Sequence, residues 1–236
     1  MFNSNESKRY SKQTILDEVG LLGQVKLKNA RVLVIGAGGL GCPLIQYLAS
    51  CGVGTIGIVD FDVVELSNLH RQILYTPENI GQKKAEVAKI RAVEQNPDVE
   101  IVVHDTALTD ENAEELIAPY DLVIDGCDNF LTRYTVNDMC VRLSKTLVYG
   151  SILGFQGQVA VFNHKGSKNL RHIFPEPPNA EDVPNCSDNG VLGVVPGIIG
   201  TLMANEALKA ILELPLKVNV FHIVDLMDFR ITELKY

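Results

Sequence analysis

The sequence of 236 residues lacks the features that mark secreted and membrane proteins. The N-terminal stretch MFNSNESKRYSKQ is polar and has no apolar signal core. The most apolar later run, residues 191–204, is short and contains Pro196 and three glycines. We therefore expect a cytoplasmic protein without a membrane partner. The chain also has no internal repeat or low-complexity tract, and at this length we expect one continuous domain.

An excess of positive charge is missing as well. The formal net charge is −8 and the isoelectric point is near 5.1. This balance argues against a broad electrostatic surface for nucleic acid or for an anionic membrane. The hydrophobic fraction of 46% and the charged fraction of 21% are typical of a folded domain with a substantial core.

The sequence also lacks closely spaced pairs of cysteines. The five cysteines are scattered, and none of them forms a C-x-x-C pair, so neither a disulfide framework nor a zinc site is indicated. Most should be reduced and buried. Cys186 is the exception, because it lies among the turn-forming residues PNCSDNG, where we expect an exposed side chain.

The chain is organised around RVLVIGAGGLG, residues 31–41. Residues 32–35 form the continuous apolar run that a parallel strand buried on both faces requires. Gly36, Gly38 and Gly41 then match G-x-G-x-x-G, in which the glycines allow a tight turn, close backbone approach and helix packing. A helix over residues 43–51 would direct its free N–H groups at a phosphate.

A second strand over residues 55–59 ends in Asp60, at the spacing expected for an acid that binds a ribose hydroxyl. Strand, turn, helix, strand and acid in this order predict a nucleotide site. A hydride-transferring dinucleotide enzyme and an ATP-using enzyme both fit these residues. The long polar loop after Asp60 supplies cationic and amide groups that could converge on phosphates, namely Asn68, Arg71, Gln72 and Lys84.

The following elements alternate between strand and helix. We predict helices over residues 83–96, 111–118 and 131–143, and strands over residues 99–103, 121–124 and 146–149. The fourth strand ends in DGCDN. Asp125 and Asp128 thus follow the carboxyl end of a strand, where open α/β sheets bind ligands, and both are candidates for contacting a metal or the nucleotide.

The pattern changes after residue 150. GQVAVFN indicates an antiparallel strand, residues 196–214 a helix, and residues 218–224 and 229–234 a closing hairpin. We predict a single α/β domain with a mixed sheet, made of a Rossmann-like nucleotide-binding half, about residues 28–150, and a second half, residues 151–236, that forms a partner surface.

The N-terminal region is an extension that precedes the first predicted strand. We expect a loose tail over residues 1–8 and one or two helices over residues 9–27. Arg9 and Lys12 would share one helical face by their spacing.

Taken together, the motifs resemble the HesA/MoeB/ThiF family, the bacterial relatives of ubiquitin-activating enzymes, from about residue 8 to the end. The motifs that carry the resemblance are RYSKQ at Arg9, GAGGLGCP at Gly36, DFDVVELSNLHRQ at Asp60, GQKK at Gly81, DGCDN at Asp125, FPEPP at Phe174 and CSDNGVLGVVPGIIG at Cys186.

The resemblance implies ATP-dependent adenylation of the C-terminal glycine carboxylate of a ubiquitin-like sulfur carrier of the ThiS or MoaD type, ending in Gly-Gly, with release of pyrophosphate. Arg71, Lys84 and Asp128 would be catalytic, and Asp128 would hold Mg²⁺. The nucleotide-binding set that it implies is Gly36, Gly38, Gly39, Gly41, Asp60, Asp62, Ser67, Asn68, Arg71, Lys84, Asp128 and Asn129.

The chain departs from the family pattern at three places. Lys12 stands where the family usually has an arginine that reaches the ATP of the neighbouring subunit, so a role in trans is a hypothesis. Asn169 and His172, in NLRHIF, stand where many members have the first zinc-binding C-x-x-C pair, and no second pair follows, so we predict no zinc. Cys186 matches a cysteine that forms a covalent link to the carrier in some relatives and is dispensable in others.

Two other hypotheses fit the residues. An NAD-dependent oxidoreductase would explain the glycine turn and Asp60, but it leaves the SNLHRQ and CSDNGVLGV motifs without a role. A non-enzymatic nucleotide sensor fits if the departures from the family pattern mark loss of the enzymatic activity. A family branch dehydrates a modified tRNA adenosine, but the acidic balance fits the carrier-activating branch better. The residues do not distinguish thiamin, molybdopterin and other carriers. By resemblance we expect a homodimer, and a separate protein as sulfur donor because a rhodanese-like extension is missing.

Overall fold

A computed structural model describes residues 2–178 and 190–236. Its centre is one eight-stranded sheet with the order β3-β2-β1-β4-β5-β6-β7-β8. The first five strands in this numbering are parallel, and β6, β7 and β8 continue the sheet antiparallel. The strands are β1 (Arg31–Ile35), β2 (Thr55–Val59), β3 (Glu100–His104), β4 (Leu122–Asp125), β5 (Thr146–Leu153), β6 (Gln156–Phe162), β7 (Val220–Asp225) and β8 (Arg230–Lys235).

The helices of the described residues cover both faces of this sheet. One apolar core joins β1 and β2 to the helices on one face, and a second core lies on the opposite face around Phe162 and Tyr120. The fold is therefore the predicted α/β domain with a mixed sheet. The helices are α1 (Ser4–Arg9), α2 (Gly20–Asn29), α3 (Gly41–Cys51), α4 (Lys84–Gln95), α5 (Ala113–Ile117), α6 (Phe130–Arg142) and α7 (Val194–Leu212).

Strand order determines where a ligand can bind. β2 pairs with one side of β1 and β4 with the other, so the chain reverses direction across the sheet between β1 and β4. In open α/β sheets a crevice forms outside the carboxyl ends of the strands at such a reversal. Here that position is bordered by the residues that follow Ile35, Val59 and Asp125.

The N-terminal tail is not loose. Asn3 caps α1: its side chain accepts hydrogen bonds from the Asn5 and Glu6 N–H groups, while the Glu6 carboxylate accepts one from the Asn3 N–H at 2.9 Å. Glu6 is buried and pairs with Lys28 of α2. The expectation of a tail over residues 1–8 was wrong because a capping box and a distant ion pair fix a helix that is too short to be stable alone.

The helices expected over residues 9–27 also differ from the structure. Tyr10 is the C-cap of α1, and turns connect it to α2, which begins only at Gly20. Arg9 and Lys12 therefore do not share a helical face. Arg9 instead donates to the Gln95 carbonyl at the end of α4, at 2.9 Å.

β5 is longer than the pattern indicated. It continues past residue 149 to Leu153, because residues 150–153 pair with β6 through a tight hairpin at Gly154 and Phe155. Gly154 has φ +59°, a conformation that glycine adopts at little cost. The change from parallel to antiparallel pairing thus occurs within one continuous sheet.

α7 is the most apolar helix among the described residues. Its 19 residues would be long and apolar enough to cross a membrane by length and composition alone, a test that core helices also pass. Val195, Ile199 and Met203 are fully buried, and the helix contacts α3, β5 and β6. We describe it as a core helix of the fold.

Candidate functional site

The glycine turn between β1 and α3 has the conformation that the motif requires. Gly36 has φ +89°, and its N–H donates to the Val59 carbonyl at 2.8 Å. A Cβ atom on Gly41 would lie 2.0 Å from the Gly36 carbonyl oxygen, so no other residue fits there without moving the backbone. Gly36 and Gly41 are therefore glycines for steric reasons.

The same turn presents unused donors. Within the described part of the chain, the N–H groups of Gly38, Gly39 and Leu40 donate to no protein acceptor. They lie just before α3, whose eleven residues add the positive end of the helix dipole. Such a turn is suited to binding a phosphate.

Asp60 lies beside this turn at the end of β2. One carboxylate oxygen accepts the Ala37 N–H at 2.7 Å and the other accepts the Asp62 N–H at 2.9 Å. Burial raises the pKa of Asp60, whereas these two hydrogen bonds act to lower it. A carboxylate held in this way retains free lone pairs that ribose hydroxyl groups can use.

Lys84, the first residue of α4, is connected to the same region. Its ammonium donates to the Asp62 carboxylate at 2.9 Å, and its side chain is 8% exposed. Tyr75 joins α4 to the glycine turn, since its hydroxyl lies 2.7 Å from the Ala37 carbonyl oxygen and 3.3 Å from that of Lys84. A buried cation is thus fixed near the phosphate-binding turn.

The segment that carries Ser67, Asn68 and Arg71 folds over the turn. The Arg71 guanidinium donates to the Ser67 carbonyl at 3.0 Å, and Asn68 is buried with its amide oxygen accepting from the Glu65 N–H. A Cβ atom on Gly39 would lie 3.6 Å from Cγ of Arg71. The aliphatic stem of Arg71 therefore packs against the glycine turn, which places its guanidinium nearby.

Gln72 also lies over the turn. Its amide nitrogen lies 3.6 Å from the position of a Cβ on Gly38, and its amide oxygen is buried without a partner among the described residues. An unpaired buried amide is costly, which is consistent with a position built to contact a ligand.

The DGCDN loop contains two acids, Asp125 and Asp128, that are equal candidates for a ligand in the sequence but differ in burial in the structure. Asp125 is fully buried and pairs with Arg133 of α6 at 3.2 Å, so the structure rules it out as an exposed ligand. Asp128 is exposed. Asn129 caps α6 by accepting the Thr132 N–H at 2.8 Å. Of the two candidate acids, Asp128 alone is available to a ligand.

Asp128 also fits the Mg²⁺ that the resemblance implies. Mg²⁺ in phosphoryl-transfer sites is commonly held by one or two carboxylates together with substrate phosphates, rather than by an all-protein cage. No group of three or more His, Cys, Asp and Glu residues that could hold a metal alone occurs in residues 2–178 and 190–236. One exposed carboxylate beside a phosphate-binding turn suits this mode of binding.

Lys12 is not part of this cluster within one protomer. Its neighbour Gln13 donates to the Cys51 carbonyl at the C-terminal end of α3, at 3.1 Å. The glycine turn lies at the opposite end of that helix, about 16 Å away for eleven residues. The Lys12 backbone therefore lies near the end of α3 that is remote from the glycine turn, and its role in trans stays a prediction. Cys186 lies outside the described residues.

The stretch NLRHIF forms a short turn that is held by hydrogen bonds. Asn169 and His172 bond reciprocally, because the Asn169 N–H donates to His172 Nδ1 at 3.2 Å and the His172 N–H donates to the Asn169 carbonyl at 3.1 Å. Arg171 fastens this turn to Asp138 of α6 with two hydrogen bonds of 2.8 Å and 2.6 Å. An asparagine and one histidine are a poor zinc set, so these residues do not fit the metal.

With this geometry established, comparison with known proteins identifies the family. The model of the ThiF family matches residues 10–236. The chain belongs to the ThiF family. This membership favours the ATP-using hypothesis over the oxidoreductase, which the glycine turn and Asp60 alone did not exclude.

Two ThiF-family relatives illustrate the similarity. The chain is 51% identical over 216 residues to the "Sulfur carrier protein adenylyltransferase" of Thermus thermophilus, covering 89% of this chain and 80% of that protein. It is 52% identical over 210 residues to "Adenylyltransferase and sulfurtransferase MOCS3" of Culex quinquefasciatus, again over 89% of this chain. The chain spans about half the length of the MOCS3 proteins it matches, 48% in this case.

Solved structures show the same fold. A crystal structure of E. coli MccB with MccA-N7isoASN aligns with a TM-score of 0.86 over 99% of this chain and 72% of that chain, at 21% identity. A structure of E. coli MccB with ATP aligns with a TM-score of 0.85 over 96% of this chain and 71% of that chain. At this level of identity the likeness establishes the fold of the ThiF-family domain and no more.

Sequence reasoning missed two residues that shape the site. Arg133 pairs with Asp125 under the DGCDN loop, and Tyr75 ties α4 to the glycine turn. Neither belongs to a recognisable motif. The sequence contains one weak signal for Arg133. It is a charged residue at the fourth position of α6, a helix that packs against the sheet.

Proposed function

We propose that this protein activates the C-terminal carboxylate of a ubiquitin-like sulfur carrier protein as an acyl-adenylate, using ATP and releasing pyrophosphate. One observation carries the proposal. Asp60, Arg71 and Gln72 all contact or overlie the glycine turn, and Asp62 ties Lys84 to Asp60. A ribose acid, free backbone donors and two cations therefore surround one crevice. The 51% identity to the sulfur carrier protein adenylyltransferase supports this substrate class.

The chemistry explains why two cations are needed. Attack of a carboxylate on the α-phosphorus brings two anions together and then releases the highly charged pyrophosphate. Arg71 offers a guanidinium fork for phosphate oxygens, while Lys84 supplies a compact charge from a nearly buried position. Their task is positioning and electrostatic stabilisation, and no general base is required.

Asp128, with Asn129 beside it, would hold Mg²⁺ in this reaction. The bound ion would offset charge on the phosphates when ATP is present. Asp128 is exposed at the carboxyl end of β4, next to the crevice, and its neighbour Asn129 is held by its cap on α6. The residues of the chain thus keep one carboxylate free for this purpose.

We limit the proposal to adenylyl transfer because of the fraction of each relative's length that aligns with this chain. The region shared with MOCS3 is less than half of a protein whose name also includes a sulfurtransferase. The Thermus relative, named only as an adenylyltransferase, is matched over 80% of its length. We propose a separate protein as sulfur donor, a cytoplasmic location, and no nucleic-acid or membrane partner. The proposal covers carriers of both the thiamin and the molybdopterin pathways.

Three further points belong to the proposal. The protein acts as a homodimer in which Lys12 reaches the neighbouring site. Cys186 is a candidate for a covalent link to the carrier, and full carrier thiocarboxylation by Cys186→Ser protein would remove that role. The protein holds no zinc at Asn169 and His172, a point supported by the hydrogen bond of the Asn169 N–H to His172 Nδ1. Stoichiometric zinc in a purified, untagged sample would contradict the last point.

The deciding experiment is ATP–pyrophosphate exchange with Mg²⁺, measured with and without a panel of carriers ending in Gly-Gly. Exchange that depends on one carrier is the expected result. Arg71→Ala should abolish it, whereas Arg91→Ala should not, because Arg91 forms an exposed pair with Glu94 on α4. Absence of exchange with every carrier, in protein that still binds ATP, would overturn the assigned substrate class.

A further inference from the structure

Lys84 has an unusual environment for a lysine. Its side chain is almost completely buried, and within the described residues its ammonium has one partner, the Asp62 carboxylate at 2.9 Å. A buried ammonium without a carboxylate would be strongly unfavourable. The position of the Lys84 charge therefore depends on Asp62.

The backbone fixes Asp62 in turn. Its N–H donates to the Asp60 carboxylate at 2.9 Å, and its carbonyl accepts the Lys84 N–H at 3.0 Å. Val63 and Lys83 form an antiparallel bridge immediately next to it. Asp62 thus connects the ribose acid to the start of α4 through both main chain and side chain.

A neighbouring ion pair offers a contrast. Lys83 and Asp105 lie 3.1 Å apart, but both side chains are 44% exposed, and pairs of this kind contribute little to stability. Asp62 is 52% exposed while its partner Lys84 is 8% exposed. One end of the Asp62–Lys84 pair is therefore open to solvent and the other end is held inside the protein.

We propose that Asp62 is a positioning residue that holds the Lys84 ammonium at the phosphate end of the crevice, rather than a ligand of the nucleotide or of a metal. An ammonium has three donors. One is used by Asp62, which leaves two for phosphate oxygens and for the departing pyrophosphate. This inference rests on the proposed function, since it assigns Asp62 a task in that same reaction.

The test is a double-mutant cycle of Asp62→Asn and Lys84→Ala, read by carrier-dependent ATP–pyrophosphate exchange and by calorimetry of ATP binding. Asp62→Asn should slow exchange by about tenfold or more, and the double variant should be no slower than Lys84→Ala alone. Asp105→Asn is the matched control and should leave exchange unchanged, because it removes only the exposed neighbouring pair.

Three outcomes separate the alternatives. Additive effects of the two substitutions would overturn the positioning role. A metal role for Asp62 would instead raise the Mg²⁺ concentration needed for half-maximal exchange, and it would persist in Lys84→Ala protein. If wild-type protein shows no exchange with any carrier, the proposed function fails. The calorimetric cycle then still tests the role of Asp62, because the absence of any coupling between Asp62→Asn and Lys84→Ala in the free energy of ATP binding would overturn that role.

Discussion

The carboxylate of Asp125 and the guanidinium of Arg133 form an ion pair that is closed to solvent, with 3.2 Å between Oδ2 and Nη1. Arg133 also donates to the Gly150 carbonyl at 2.7 Å and lies 4.8 Å from the centre of the Tyr149 ring. Burial is the largest single influence on Arg133 and acts to lower its pKa, but the negative charge of Asp125, with smaller contributions from its other neighbours, raises the pKa overall. The ion pair holds the buried side of the DGCDN loop in place, and Asp128 of the same loop remains exposed.

Replacing Arg133 by methionine should destabilise the fold by about 3–5 kcal/mol, because it leaves the Asp125 carboxylate buried without its partner. Chemical denaturation measures this difference. Arg142 lies on the same helix as Arg133 and forms an exposed pair with Glu114 of α5. Arg142→Ala removes that pair and should change the free energy of unfolding by less than about 1 kcal/mol. Equal losses in the two variants would show that burial of the Asp125–Arg133 pair does not matter.

Much of the fold could be predicted because its signals are local. β2 has the predicted bounds. β1 extends only one residue, Arg31, beyond the predicted run over residues 32–35, since a parallel strand buried on both faces shows as an uninterrupted apolar run. The glycine turn and Asp60 are predicted from spacing, and Arg71 from the residue types of the polar loop after Asp60; the structure brings them together.

The features that were missed depend on distant partners. Glu6 is buried because Lys28 of α2 reaches it, and nothing in the first ten residues indicates that contact. Asp125 and Asp128 cannot be distinguished by sequence, because Arg133 decides which of them is buried. Arg133 itself has the same residue type and helix as the exposed Arg142. Tertiary contacts, which no local pattern contains, settled these points.

Gly41→Ala should abolish ATP binding. The added Cβ would lie 2.0 Å from the Gly36 carbonyl oxygen, so the turn that presents the N–H groups of Gly38 and Gly39 would have to open. Gly197→Ala is the control, since a Cβ there meets nothing within 4 Å and alanine favours the helix by about 1 kcal/mol. Calorimetry should show no ATP binding for Gly41→Ala and wild-type affinity for Gly197→Ala. Wild-type affinity in both variants would show that the turn does not bind ATP.

ATP affinity should fall on acidification because of Asp60. Burial raises the pKa of its carboxyl group, so the group takes up a proton at a higher pH than an ordinary aspartate does. The ionised form offers free acceptors to the ribose hydroxyls, and protonation removes part of that capacity. Binding should therefore be strongest above the raised pKa and weaken as the pH falls through it.

Asp60→Asn provides the reference for this pH dependence. ATP itself titrates in the same range, and that contribution is common to both proteins. The expected result is that the ratio of wild-type to Asp60→Asn affinity decreases as the pH is lowered. A ratio that is constant with pH would show that the charge of Asp60 does not take part in binding.

Lys12 should act on the neighbouring subunit's site, and complementation between subunits tests this directly. Lys12 and the glycine turn lie at opposite ends of α3 in one protomer, so Lys12→Ala and Arg71→Ala damage different sites if the role in trans holds. In a mixed dimer of the two variants, one site keeps its own Arg71 and receives Lys12 from the other chain. That site is intact, and about half of the wild-type exchange activity should return.

The mixed dimer is purified through two different affinity tags, and light scattering confirms its mass. Homodimers of each variant and of the double variant are the controls, and each should be at least about tenfold slower than wild type. If Lys12 acted within its own chain, both sites of the mixed dimer would carry one defect and no activity would return. A monomeric mass at micromolar concentration, or wild-type exchange by Lys12→Ala protein alone, would contradict the role in trans before any mixing is done.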